Sequence, residues 1–164
     1  MNYSKIIKND FCAAPGVCVT LFVSGCAKQC PGCHNPELWD PEAGTPFTEE
    51  TIEEIIQALG ANGIQRNLCL MGGDPFYKNN PTGGLIELIY EARNRYPNLK
   101  VYTWTGYTYE ELIKMPQGGP AALLRDTDYL IDGPFIQELR DITLPMRGSS
   151  NQRILHLQDG KIIN

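Results

Sequence analysis

Cys26, Cys30 and Cys33 place three thiols within eight residues at the spacing C-x3-C-x2-C, and no other feature restricts the chain so tightly. Three soft ligands on one short loop imply a metal centre, because thiolates favour zinc, copper(I) or iron–sulfur clusters. A closed tetrahedral zinc site and an electron-transfer cluster both normally take four protein ligands, and here the fourth is missing locally. A structural Cys3His zinc site completed by His34 fits poorly. His34 adjoins Cys33 directly, whereas zinc ligands usually come from separated pairs. A four-iron cluster held by three cysteines keeps one iron open to an exogenous ligand. A ferredoxin-like carrier would need a fourth cysteine, for which Cys12 or Cys18 is the candidate.

The rest of the composition narrows the setting. The chain has 164 residues, enough for a single domain spanning 1–164 that buries roughly 70% of its unfolded surface. Lys and Arg number 14 against 19 Asp and Glu, a formal charge of -5, so nothing favours a phosphate-tracking surface and no nucleic-acid partner is expected. The longest nearly apolar run, Val17 to Val23, is too short to cross a bilayer. Residues Met1 to Phe11 lack the apolar core of an export signal. A cytoplasmic protein without a membrane partner is the expectation, and in that compartment cysteines serve as ligands or buried thiols more often than as disulfides. Cys12, Cys18 and Cys69 read as small core residues, and His156 as a structural residue of a terminal strand.

Along the chain, strand and helix signals alternate. Val17 to Val23 reads as a buried strand ending at Ser24-Gly25, directly before the cysteine loop. Thr48 caps a helix with Phe47 poised to staple onto Ile52. In that helix Ile52, Ile55, Ile56 and Leu59 form the apolar stripe, and Glu49, Glu50, Glu53 and Glu54 form a solvated face. Asn67 to Met71 is a second strand running into Gly72-Gly73-Asp74-Pro75, where glycine permits close backbone approach. Leu85, Leu88, Ile89, Ala92 and Tyr96 mark the next helix, and Leu99 to Trp104 the next strand. Thr108 and Glu111 form a capping box, Ala121 to Asp126 a brief helix, Tyr129 to Ile131 a strand ending at Asp132-Gly133, and Ile154 to Leu157 an edge strand. This alternation predicts an α/β fold with a mostly parallel sheet. The cysteine loop, Gly72 to Pro75, Thr103 to Tyr107 and Asp132-Gly133 then gather at the strand ends where such folds bind ligands. A full eight-fold barrel typically needs ~250 residues, so an open, partial (β/α) barrel is expected.

At Cys26 to Asn35 the sequence resembles radical S-adenosylmethionine (SAM) activating enzymes, whose third cysteine is commonly followed by an aromatic or His and then Asn. Five stretches carry the likeness along most of the chain: Leu21 to Cys26, Gly72 to Pro75, Trp104-Thr105-Gly106-Tyr107, Ile131-Asp132-Gly133 and Arg147 to Gln152. Together they are similar to the activating proteins of anaerobic ribonucleoside-triphosphate reductases. The chain departs from that pattern at Ala13-Ala14-Pro15-Gly16-Val17, where Asn-Gly-Pro-Gly and an Arg are common, and at Met146, where an aromatic often stands.

The resemblance implies a fold of the radical SAM type and a 4Fe-4S cluster on Cys26, Cys30 and Cys33, with SAM chelating the open iron. It further implies backbone contacts from Gly72 and Gly73 to the SAM amino group. Asp74 would hold that loop or face the ammonium, Gly32 and His34 would flank the adenine, and Asp132 is a further pocket candidate. The implied activity is reductive cleavage of SAM to a 5′-deoxyadenosyl radical that makes a glycyl radical on the large subunit of the reductase, with a flavodoxin-like protein as electron donor and no general acid or base. Activation of another glycyl radical enzyme, or action on a small molecule, is the alternative. The segment from Phe135 to Gln152 is the expected docking surface for the reductase.

Overall fold

The computed structural model describes residues 1–163. Its strands are β1 (Asn2–Asp10), β2 (Cys18–Val23), β3 (Thr45–Pro46), β4 (Asn67–Gly72), β5 (Val101–Trp104), β6 (Tyr129–Asp132), β7 (Arg153–Gln158) and β8 (Lys161–Ile162). The helices are α1 (Glu49–Leu59), α2 (Gly83–Arg95), α3 (Tyr109–Leu112) and α4 (Gly119–Asp126). The strands form one open mixed sheet in the order β3-β1-β2-β4-β5-β6-β7-β8. Its centre is parallel as expected: Cys18 to Val23 runs alongside Asn67 to Gly72, then Leu68 beside Val101 and Tyr102 beside Tyr129. The flanks are antiparallel, with β1 on β2, β3 on β1, β7 on β6 and β8 on β7.

Local signals set the helices. Thr48 donates its N–H to Thr51 Oγ1 at 3.3 Å ahead of α1, and Phe47 packs on the core that holds Ile52. The Thr108 capping box is complete: its hydroxyl accepts Glu111 N–H at 3.3 Å and its N–H donates to Glu111 Oε2 at 2.7 Å. Glu49, Glu50, Glu53 and Glu54 are exposed, as a solvated face requires. Ile55, Leu59, Leu85, Leu88, Leu123 and Leu130 are fully buried in one core between helices and sheet.

The other face of the sheet carries no helix among the described residues. Its cluster consists of Ala14, Cys18, Cys69, Tyr102 and Ile131, with Ala13, Met71, Trp104, Tyr129, Met146 and Ile154 packed against them. Both departures from the resembled pattern therefore meet on this face. Three rings stack across adjacent strands, Tyr102 on Tyr129 and Tyr129 on His156, each pair at 4.7 Å, which gives His156 its structural place.

Three strands carry no clear sequence signal. β1 lacks the alternation of a half-buried strand, with Ser4, Lys5, Lys8 and Asn9 exposed, because its register against β2 shifts between Tyr3 and Lys5 and between Ile7 and Asp10. β3 and β8 are two residues each. Cys12 departs from expectation and is exposed, since it lies in the β1–β2 connection, where its N–H donates to Asp10 Oδ1.

Candidate functional site

Because β2, β4, β5 and β6 are parallel neighbours, their carboxyl ends meet at one edge, and backbone hydrogen bonds join the loops that leave them. Gly73 N–H donates to Val23 O at 2.7 Å and Asp74 N–H to Gly25 O at 2.8 Å. Thr105 N–H donates to Ile131 O and Gly133 N–H to Tyr107 O, both at 2.9 Å. All four stretches singled out in the sequence are thereby brought together.

The cysteine loop starts immediately beyond β2. Gly25 takes φ +95, Gln29 φ 44 and Gly32 φ 72, the left-handed turns that let the chain double back within a few residues. Cys33 N–H donates to Cys30 O at 3.0 Å, closing the C-x2-C turn. The loop is pinned from behind, where Gly25 N–H reaches Leu38 O at 2.8 Å and Cys26 N–H reaches Trp39 O at 3.2 Å. Cys26, Cys30 and Cys33 are free thiols of intermediate exposure. Burial, and after it the Asp74 carboxylate, push the Cys26 thiol up, while the backbone N–H groups of Lys28 and Gln29 pull the other way.

Gly72 and Gly73 have a structural reason to be glycine. Gly72 sits at φ +107, and a Cβ there would lie 2.9 Å from Phe22 Cα. A Cβ on Gly73 would lie 2.6 Å from Gly25 O and 2.9 Å from Leu38 O. The Gly-Gly turn is thus pressed against the backbone that carries the first cysteine. Gly32 is exposed, and the space a Cβ would take there is filled by the Gln137 side-chain amide with the Phe135 ring beside it. His34 is exposed.

Asp74 is hydrogen-bonded to its own turn and to the Thr105-Gly106 loop. It is 1% exposed; its Oδ1 accepts Phe76 N–H at 2.9 Å and its Oδ2 accepts Gly106 N–H at 3.0 Å, with the Thr105 hydroxyl within 3.0 Å of both. Burial pushes its carboxyl up to about 6 against these bonds. Asp132, also 1% exposed, is engaged elsewhere. Arg153 grips both its oxygens and Tyr109 N–H donates to Oδ2 at 2.7 Å, so its carboxylate braces β6, β7 and α3.

Sequence reasoning missed Arg153, Lys28 and Trp39. Arg153 also reaches Glu110 at 2.8 Å. Lys28, inside the cysteine loop, sits 3.1 Å from Glu111 and 4.4 Å over the Tyr107 ring. The signal for Lys28 was its place between Cys26 and Cys30, whereas the others depend on contacts far apart in sequence. Phe135 to Gln152 folds as an ordered excursion, closed by the Arg140–Ser149 bridge and by Ser150 N–H on Leu139 O.

The residues present fit an iron–sulfur cluster by their donor chemistry: three free thiols on one pinned loop, and a buried, unpartnered indole N–H on Trp39, whose backbone carbonyl accepts Cys26 N–H. Among the described residues no three His, Cys, Asp or Glu side chains are grouped to hold a single metal ion. A polynuclear cluster offers each thiolate its own iron and does not require them to meet at one point. The remaining cysteines are remote. Cys18 opens β2, so about 17 Å of strand separates it from the loop; Cys12 precedes it, and Cys69 is fully buried among the strands.

Residues 13–155 match the family described as a 4Fe-4S single cluster domain. The chain therefore contains an iron–sulfur domain of the 4Fe-4S class. It is 38% identical over 162 residues to the anaerobic ribonucleoside-triphosphate reductase-activating protein of Escherichia coli, covering 96% of this chain and 100% of the relative. The like-named protein of Vibrio cholerae is 41% identical over 155 residues, 94% of this chain and 97% of that one. That of Haemophilus influenzae is 39% identical over 157 residues, 95% and 97%. The chain belongs to the anaerobic ribonucleoside-triphosphate reductase-activating protein family. No helix among the described residues is long and apolar enough to cross a membrane.

Proposed function

We propose that the chain is a radical SAM activase built on an open, partial (β/α) barrel, with Cys26, Cys30 and Cys33 holding a 4Fe-4S cluster and SAM bound beside it. When bound, the cluster would supply the single electron for reductive cleavage of SAM, the chemistry from which a glycyl radical on the reductase would follow. The observation that carries this reading is the junction of the two loops. Gly73 and Asp74 donate their N–H groups to Val23 and Gly25, so the Gly-Gly turn lies against the residue preceding Cys26.

In this arrangement the chain's task is to hold and orient. Gly72 and Gly73 present backbone to the SAM amino group, and Asp74 keeps their turn fixed to the Thr105-Gly106 loop. Gly32 and His34 stand at the exposed end of the cysteine loop, where the adenine would lie. Asp132 acts through Arg153 and Tyr109 to set the far side of the edge. The distance of Cys12, Cys18 and Cys69 from the loop favours three ligands over the four of a carrier. The relatives are named as activating proteins of anaerobic ribonucleoside-triphosphate reductase, which supports the large subunit of that reductase as partner; a flavodoxin-like protein in the cytoplasm would supply the electron.

The test is anaerobic. The chain is reconstituted with iron and sulfide, then given dithionite and SAM, and 5′-deoxyadenosine is measured. Product that disappears in Cys30→Ala is expected, and addition of the reductase should then yield a glycyl radical signal. A reconstituted protein that binds iron and sulfide but releases no 5′-deoxyadenosine would overturn the activity.

A further inference from the structure

Trp39 Nε1 is buried and has no hydrogen-bond partner, the only side-chain nitrogen or oxygen in that state among the described residues. Buried donors are almost always paired, because an unpaired one forfeits its hydration for nothing. The chain's other tryptophan, Trp104, obeys that rule, with Nε1 donating to Met146 O at 2.7 Å. Trp39 closes the short turn Pro36–Trp39, and its carbonyl accepts Cys26 N–H while Leu38 O accepts Gly25 N–H. The orphaned donor therefore belongs to a residue bonded directly to the first cysteine.

We propose that Trp39 is a positioning residue whose indole N–H donates a hydrogen bond to a sulfur of the cluster held by Cys26, Cys30 and Cys33, and so raises its reduction potential. This rests on the reading given under Proposed function. Reduction adds one electron, supplied by a one-electron donor such as dithionite, and makes or breaks no covalent bond. The electron increases the negative charge on the sulfurs, and a donor aimed at them stabilises the reduced form more than the oxidised one. Hydrogen bonds to sulfur and solvent exposure are among the levers that set such potentials. The same contact satisfies the indole, so the orphan and the tuning have one explanation.

The experiment compares reconstituted wild type, Trp39→Phe and Trp104→Phe by potentiometric titration followed by EPR, without SAM or reductase. Trp39→Phe should take up the same iron and sulfide yet be about tenfold harder to reduce, a shift of about 59 mV to more negative potential; Trp104→Phe should not move. Tryptophan labelled with 15N in the indole should give a nitrogen coupling to the reduced cluster of the wild type, retained in Trp104→Phe. That coupling keeps the test decisive even where Trp39→Phe fails to assemble. Without its cluster, Trp39→Phe should resist urea at least as well as wild type, because the N–H it loses is unpaired there. An unchanged potential in Trp39→Phe, or no 15N coupling in the wild type, overturns the inference. A wild type that assembles no cluster at all overturns instead the reading on which it rests.

Discussion

Asp74 and Asp132 lie on the same edge of the sheet, each with 1% of its surface exposed, yet the chain manages their charge in opposite ways. Asp74, nearer the cysteine loop, is held by neutral donors: two backbone N–H groups and the Thr105 hydroxyl. Burial outweighs those bonds and pushes its carboxyl up to about 6, while Lys28, whose ammonium is turned to Glu111, adds the weakest opposing pull. Asp132 instead faces a guanidinium that grips both its oxygens, and the same guanidinium holds the exposed Glu110 down to about 2. Dipoles support the loop beside the cysteines; a full charge locks the side remote from them. A cage of neutral donors keeps that loop rigid without an ion pair on Asp74.

Truncation gives the largest separation between the two braces. Asp74→Ala strands Phe76 N–H, Gly106 N–H and the Thr105 hydroxyl in a buried place, at ~1–3 kcal/mol for each unmet donor. Since such losses do not add fully, about 3–5 kcal/mol is expected from urea unfolding of the cluster-free chain. Asp132→Ala leaves Arg153, whose side chain is 43% exposed and retains Glu110. A fully buried pair broken on one side costs ~3–5 kcal/mol, so with solvent screening about 2 kcal/mol is expected here. Equal losses, or the reverse order, would break the contrast.

Acid sharpens it, because Asp74 and Glu110 respond with opposite sign. Asp74 has a folded-state value of about 6 against an ordinary 3.8. Its contribution is fully present below 3.8 and is lost as pH rises through 6, by up to about 3 kcal/mol. Glu110 is held at about 2 against 4.5, so its contribution is present above 4.5 and is lost as pH falls through 2. The stability difference between wild type and Asp74→Asn should therefore change in the wild type's disfavour from pH 4 to 7. The difference between wild type and Glu110→Gln should instead close from pH 5 towards 2. Parallel trends for both would show that Arg153 does not separate the two regions.

How much of this was readable in the chain follows from how local each signal is. The cysteine spacing, the Thr108–Glu111 box and the apolar stripe of α1 are written within a few residues, and each stands where the sequence puts it. The parallel centre followed from the alternation of elements. The antiparallel flanks did not, because β1 lacks a regular pattern and β8 spans two residues. Gly73 was legible as a glycine suited to close approach, but its partner, the Gly25 carbonyl, is set by pairing of β2 with β4. Arg153 finds Asp132 across 21 residues and only because β7 runs antiparallel to β6. Cys12 misled because hydrophobic character does not fix burial in a loop.

The smallest effect is expected where the two regions are joined. Adjacent glutamates on α3 face opposite ways: Glu110 binds Arg153, and Glu111 binds Lys28 of the cysteine loop at 3.1 Å. Lys28 also lays its stem on Gly106, where a Cβ would come within 2.7 Å of Lys28 Cγ, and its ammonium lies over Tyr107. Lys28→Met keeps the stem and removes the charge. An exposed pair is worth ~0–1 kcal/mol, so a loss of about 0.5 kcal/mol that shrinks as salt is raised is expected in urea unfolding. A loss as large as that of Asp132→Ala, insensitive to salt, would mean that the ammonium itself supports the cysteine loop. The neutral cage around Asp74 would then be only half of what holds that side of the edge, and the division between a dipolar and an ionic brace would have to be redrawn around Lys28.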